Sequence, residues 1–414
     1  MAGLVALALG YVLSHFYRAF MAVLAPALIT DLGATKGDLS LASGTWFATF
    51  ALAQFVVGVC LDRYGPKRTT SAMLALGGVG AFLFAAATAP WAIVCAMALI
   101  GVGCAPILMA AIFIFARTSK PAQLAVRTSA MMAIGSLGNV FGTSPLAAAS
   151  EAFGWRAVLV GMGVVTLAVA LAIELVVRDP PREPADTGSG SGFAGYMTLL
   201  RIRNLWLIAP LVALGYAPAA SVRGLWAGPY LTDVYGADTL LIGNIVFFMA
   251  LAMVAGAAIY GPLDTLFRTR KWVAIVGNGL AMGVFLVLAV APAPGITVVT
   301  ILLMLMGILG GSYGLLMAHG RAFVPLHLTG RGVTLLNFFS IGGTGVVQFA
   351  TGAVYAAGST PGVPVSGYQA LFWFYALALA AALAVYLLVP DARPERTADA
   401  GAGRGGADGA DGRP

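Results

Sequence analysis

Apolar runs long enough to cross a bilayer follow one another along almost the whole chain, and this constrains its fold more than any other feature. A helix needs about 20 mostly apolar residues to span the hydrocarbon layer. Hydrophobic length and helix breakers place such spans at 3–30, 41–61, 69–88, 91–116, 122–149, 155–177, 205–232, 239–262, 272–291, 296–318, 331–356 and 368–389. Backbone groups in lipid must be satisfied internally, so helices are expected. The runs are too long for barrel strands and do not alternate as those do. Only 9% of the residues are charged and 60% are hydrophobic, whereas a soluble domain carries about a quarter charged residues. Lipid is the expected solvent. The first run lacks a basic leader region and contains Arg18, so it reads as a retained first helix. The expected fold class is an all-α membrane protein with twelve transmembrane helices.

The longest polar interruption, RDPPREPADTGSGSGFAGYMTLL at 178–200, has the Pro, Gly and Ser content of a linker. It divides the chain into a six-helix bundle over 1–177, a cytoplasmic linker over 178–204 and a second six-helix bundle over 205–389. The Gly-, Ala-, Asp- and Arg-rich tail, 390–414, is expected to be disordered. Charge orients the helices. With the N-terminus inside, the cytoplasmic loops hold Arg63, Lys67, Arg68, Arg117, Lys120, Arg127, Arg178, Arg182, Arg201, Arg203, Arg268, Arg270, Lys271, Arg321 and Arg331. The opposite side holds only Lys36 and Arg156. Both termini are therefore expected in the cytoplasm, with the chain integral to a bacterial cytoplasmic membrane. The net charge of +7 reads as this topology signal, not as a nucleic-acid footprint. Cys60, Cys95 and Cys104 show no metal or disulfide spacing. No Gly-rich phosphate loop and no His/Asp or Ser/His constellation occurs, so no enzyme, cofactor or metal centre is expected.

The loop after the second span reads Gly58-Val59-Cys60-Leu61-Asp62-Arg63-Tyr64-Gly65-Pro66-Lys67-Arg68. Gly58 allows close helix packing, Asp62 can be held by a helix N-terminus or an arginine, and Gly65 permits a tight turn. This resembles the signature loop of the major facilitator superfamily, with Pro66 departing from the usual basic residue. A degraded copy, Gly261-Pro262-Leu263-Asp264 followed by Arg268, Arg270 and Lys271, follows the eighth span. The resemblance covers 3–389 and implies two six-helix bundles around a central cavity, alternating access by rocking, and a gating role for both loops. Helix 5 carries Gly135, Gly138, Gly142 and Pro145; small residues for close packing are the favoured reading there.

Charges inside spans are costly, so they are the best functional leads. Arg18 lies near the middle of the first span and Arg223 a little past the middle of the seventh. The segments continue alike, Arg18 towards Pro26 and Leu32-Gly33-Ala34, Arg223 towards Pro229 and Tyr235-Gly236-Ala237. Both can face the cavity and bind a carboxylate or phosphate; alternatively each packs the bundle against carbonyls. The pair resembles that of the superfamily's organophosphate–phosphate exchangers. Asp31 and Asp233 fall at helix ends, and Glu174 can pair with Arg178 one turn on. His15 shares a helix face with Arg18 and can titrate, coupling transport to protons, or stay neutral and hydrogen-bonded. Tyr17, Trp226, Asn139, Tyr313 and Asn337 are candidates for the substrate-binding wall, with Trp46, Gln54, Asn244 and Gln348 as further ones. Met249 and Met253 are read as coincidence, not a copper site. The expected function is secondary transport of a small, anionic solute by a monomer in contact with lipid. An exporter of neutral or amphipathic compounds and a non-transporting membrane sensor are the alternatives.

Overall fold

The computed structural model describes residues 2–118, 121–180, 194–325 and 328–392. Among the described residues the regular structure is helical, apart from one isolated bridge between Thr360 and Val363. It runs α1 (Ala2–Ala19), α2 (Met21–Leu32), α3 (Lys36–Ala85), α4 (Pro90–Cys104), α5 (Pro106–Thr118), α6 (Pro121–Phe141), α7 (Ser144–Phe153) and α8 (Trp155–Val176). A second series follows: α9 (Ala194–Leu200), α10 (Arg203–Leu214), α11 (Ala217–Ser221), a π-helical turn (Val222–Trp226), α12 (Ala227–Tyr235) and α13 (Thr239–Leu266). It ends with α14 (Lys271–Val290), α15 (Ile296–Leu309), α16 (Tyr313–Arg321), α17 (Thr329–Gly358) and α18 (Ser366–Tyr386).

Among the described residues, ten helices are long and apolar enough to cross a membrane. The expected twelve is not reached by that measure for two local reasons. The expected second and third spans are the two limbs of α3, which meet at a kink where Gly65 is not helical (φ 86°, ψ 164°), so they count once. The expected fifth is divided into α6 and α7 ahead of Pro145, which has no N–H to continue the ladder, and α6, although 21 residues long, is not among the ten. Pro106 divides the expected fourth span in the same way, and Pro218 and Pro229 flank the broken seventh. Gly33 (φ 63°) and Gly236 (φ 64°) end α2 and α12 in the left-handed conformation, so the two matched sequence segments adopt the same turn.

Within the first half α3 packs on α4 and α8, and α1 packs on α6. Within the second, α13 packs on α15, α14 on α18 and α10 on α17. The halves meet through α3 with α17, α7 with α13 and α2 with α12. Small residues set the closest approaches. A Cβ at Gly138 would stand 1.9 Å from the Val12 carbonyl oxygen, and one at Gly135 would stand 2.1 Å from the Tyr11 ring. Gly138→Val should therefore force α6 off α1 and lower thermal stability by about 3 kcal/mol, a calorimetric or thermal-shift measurement, with overpacking as the cause. Pro26 leaves the Ala22 carbonyl without its helical donor, and Gly228 lets α12 come against that oxygen.

Each half also closes on an aspartate that the sequence reading had not singled out. Asp179, just past α8, accepts a hydrogen bond from the Lys67 amide at 2.8 Å. Asp391, just past α18, accepts from the Arg270 amide at 3.2 Å, the Lys271 amide at 3.1 Å and the Thr269 hydroxyl at 2.6 Å. Both carboxylates thus cap the helix restart after a signature loop. Of the expected tail, 390–392 are described and Asp391 is held in this way; 393–414 lie outside the described residues, as do 181–193 of the expected linker. Burial works to raise the Asp391 carboxyl, but the Thr269 hydroxyl and the two amides outweigh it and hold it below the ordinary 3.8. A depressed carboxyl stabilises the fold above its ordinary value, and that stability is lost as pH falls through the folded value. Asp391→Asn should lower thermal stability at pH 7 by about 1 kcal/mol, and the gap to the parent should close as the pH falls below 3.8.

Candidate functional site

A cavity of about 370 Å³ lies between the two halves. Tyr11, His15 and Arg18 reach it from α1, at spacings of four and three residues that put them on one helix face. Tyr216 and Arg223 reach it from the other half. Arg223 sits on the π-helical turn and is 1% exposed. Such turns are rare and concentrate at functional sites. A Cβ at Gly224 would stand 2.9 Å from the Arg18 carbonyl oxygen, so the two arginine-bearing backbones are in contact.

The electrostatics are unusual. The Arg18 guanidinium lies over the Trp46 ring at 5.1 Å and the Phe50 ring at 4.8 Å. Its Nε is buried and lacks a hydrogen-bond partner among the described residues, as do Nε and Nη1 of Arg223. The Tyr216 hydroxyl is within hydrogen-bonding reach of Arg223. Among the described residues neither arginine has an ion-pair partner. Asp264 also lines the cavity, but Arg270 Nε holds it at 3.1 Å. Buried cations normally find an acceptor. Here both arginines line the cavity, and each has buried nitrogens without a partner among the described residues.

Of the other expected wall residues, Asn139, Tyr313 and Asn337 line the cavity. The Tyr313 hydroxyl donates to Asn337 Oδ1 at 2.8 Å, and Asn139 Oδ1 is without a partner. Tyr17 and Trp226 do not line it. Tyr17 is one position round the helix from Arg18 and its hydroxyl bonds Thr166 Oγ1 at 2.9 Å. Trp226 is three positions after Arg223, which would share a face in an α-helix. The wider π turn rotates it onto Tyr355 and Tyr368, at 5.2 and 6.3 Å between ring centres. Tyr11 and Tyr216 were missed; their one signal was helical phase, four residues before His15 and seven before Arg223.

One end of the cavity is sealed. Lys36 at the start of α3 pairs with Asp233 of α12 and donates to the Tyr355 hydroxyl at 2.8 Å. Tyr368 donates to Asp233 at 2.6 Å. Beneath them the buried Gln348 donates to Ser43 at 2.9 Å and accepts from Ser221 at 2.8 Å. The other end reaches Gly261 and Asp264 near the end of α13, where Gly261 and Met132 are exposed. The signature loop is at that end too. Asp62 is exposed and makes no hydrogen bond or ion pair among the described residues, and Arg63 lies against its neighbour Tyr64. The space above Gly58 is empty, so the close packing expected there is absent. Gly65 makes the turn as expected, with a Cβ there meeting the Asp179 carboxylate at 2.6 Å. Lys67 Nζ lies 3.6 Å from Glu174, which also accepts from Ser71 at 2.7 Å. The expected Glu174–Arg178 pair does not form because α8 ends at Val176. Arg68 and Arg268 are exposed, Arg268 with a positive φ of 54°.

The sequence model described as Major Facilitator Superfamily matches residues 7–340. The chain belongs to the Major Facilitator Superfamily. As a superfamily member with ten apolar helices of spanning length, it is an integral membrane protein. It is 25% identical over 297 residues to the Membrane sensor protein UhpC of Salmonella typhimurium, covering 65% of each chain. It is 23% identical over 260 residues to the Probable sulfoacetate transporter SauU of Cupriavidus necator, covering 59% of this chain and 60% of that one. The chain therefore spans less than two-thirds of the length of these curated relatives. A bacterial homolog of the human lysosomal transporter Spinster, in an inward-facing and occupied conformation, shares the fold at a TM-score of 0.72 and 19% identity, covering 93% of this chain and 96% of that one.

Proposed function

We propose that this superfamily member is a secondary transporter that carries a small organic anion through the cavity, with Arg18 and Arg223 holding the anionic group. One observation carries the reading: Arg18 and the buried Arg223 both line a cavity sealed at one end, and among the described residues no carboxylate is paired with either. A carboxylate, sulfonate or phosphate supplies the missing acceptors in a fork-matched geometry. Asn139 and Asn337 orient the rest of the solute, and His15 carries the coupling proton. The bundles 1–177 and 205–389 rock about this site, joined by 178–204. With both termini in the cytoplasm of a bacterium, the cavity opens inward. Closing that side brings the loop of Gly58, Asp62, Arg63, Gly65, Lys67 and Arg68 and that of Asp264 and Arg268 against the opposite bundle, giving Asp62 the partner it lacks. The likeness to a sulfoacetate transporter supports an anionic solute.

The test is uptake into proteoliposomes of labelled sulfoacetate, glucose 6-phosphate and phosphate, with and without an imposed pH gradient. Uptake of at least one, faster with the gradient and losing that dependence in His15→Gln, is the expected result. Equal rates with and without the gradient would remove His15 from the mechanism and leave exchange as the energy source. The likeness to a membrane sensor supports a second reading, in which the anion binds but does not cross; saturable binding with no flux in the same vesicles would select it.

A further inference from the structure

Once the two arginines have taken the anionic group, the chemistry of the remaining cavity wall limits what the solute's body can be. Rings and thioethers form a large part of the wall, beside small residues and amides. Tyr11 and Phe50 stand on one side, Tyr216 and Tyr313 on the other, the last two with ring centres 6.3 Å apart. Met109, Met132 and Met253 fill the space between helices. Rings offer faces and edges for another ring, and thioether sulfur is soft and adapts to one.

Several of the polar side chains in the wall are already engaged within the protein. Ser136 Oγ donates to the Met132 carbonyl at 3.0 Å, His15 Nδ1 lies 3.2 Å from the Tyr11 carbonyl, and Asn337 Oδ1 is occupied by Tyr313. Gln54 Nε2 donates to the Ala105 carbonyl at 3.1 Å. Among the buried polar atoms of these side chains, Gln54 Oε1 and Asn139 Oδ1 have no partner. A sugar phosphate would bring several hydroxyls, each needing a partner when dehydrated, and each unmatched one is penalised. A planar apolar body asks for none.

We infer that the solute is an aromatic carboxylate or sulfonate bearing few hydroxyls, its anionic group on Arg18 and Arg223 and its ring among Tyr11, Tyr216, Tyr313 and the methionines. This rests on the two-arginine reading above, and the experiment separates the two. The purified full-length protein in detergent is titrated calorimetrically with benzoate, benzenesulfonate, sulfoacetate, glucose 6-phosphate and inorganic phosphate. The aromatic anions should bind at least about tenfold more tightly than the other three, a difference of 1.4 kcal/mol. Met253→Asn and Met109→Asn should each reduce that preference several-fold. Glucose 6-phosphate or phosphate binding as tightly as benzoate, with the binding lost in Arg223→Ala, overturns the aromatic assignment and keeps the two-arginine site. Benzoate binding that persists unchanged in both Arg18→Ala and Arg223→Ala overturns the two-arginine site itself. The comparison of probes on the parent protein stands even where a methionine variant fails to fold.

Discussion

Arg223→Ala should weaken binding of the transported anion by at least about thirtyfold, because truncating one partner of a buried charge pair costs about 2–5 kcal/mol. Arg18→Ala should do the same to a smaller extent, since Arg18 is also held by the Trp46 and Phe50 rings. Stability should move the opposite way. In the ligand-free protein Arg223 is 1% exposed and two of its nitrogens lack a partner. An uncompensated buried charge is destabilising. Arg223→Met, which keeps the apolar stem, should therefore raise the melting temperature of the empty protein while abolishing anion binding. A residue that merely packs the bundle would lower both. Calorimetric titration and thermal unfolding on the same preparation distinguish the two, and a drop in melting temperature for Arg223→Met would argue against an unpaired binding arginine.

Lys36→Ala should open the sealed end. Lys36, Asp233, Tyr355 and Tyr368 connect α3 of the first half with α12, α17 and α18 of the second. The lysine also lies 4.7 Å over the Tyr355 ring and 5.4 Å over that of Tyr368. The pair is partly solvated, so it is worth about 1 kcal/mol, and the ring contacts add a similar increment. Losing it should raise the population of the state open at that end by about tenfold. Cys104 is a native reporter, because it is buried and lines the cavity. In a chain with Cys60 and Cys95 replaced by alanine, a membrane-impermeant maleimide added on the Lys36 side should label Cys104 about tenfold faster in Lys36→Ala than in the parent. Asp233→Asn should act in the same direction. Unchanged labelling in both would show that other contacts, such as those of Gln348, hold that end shut.

Sequence reasoning reached the parts of this molecule that local chemistry determines. Apolar length marks the helices, Gly65 marks the joint within α3, and the αL turns at Gly33 and Gly236 are present in the paired segments that follow Arg18 and Arg223. The arginines themselves stand out because mid-span charge is costly. What escaped depends on distant parts of the chain. Lys36 and Asp233 are 197 positions apart, and nothing near either names the other. Asp179 and Asp391 sit in segments that read as linker and tail, and only the docked helix starts give them a role. Trp226 was a candidate for the cavity wall, and the π turn that ends on it sets it against Tyr355 and Tyr368 instead. Helix count suffers for a related reason. Proline positions show where a ladder breaks, but whether the pieces remain one crossing is decided by their neighbours.

The unpaired arginines also bear on turnover. Switching access requires a moment when both ends are shut and the cavity contents are cut off from bulk water. An empty carrier would then enclose two like charges, at a cost of several kcal/mol, whereas a bound anion neutralises them. The return stroke without cargo should therefore be the slow half of the cycle. Solute waiting on the far side would then accelerate release on the near side, so net flux should be slower than one-for-one swapping of the same molecule.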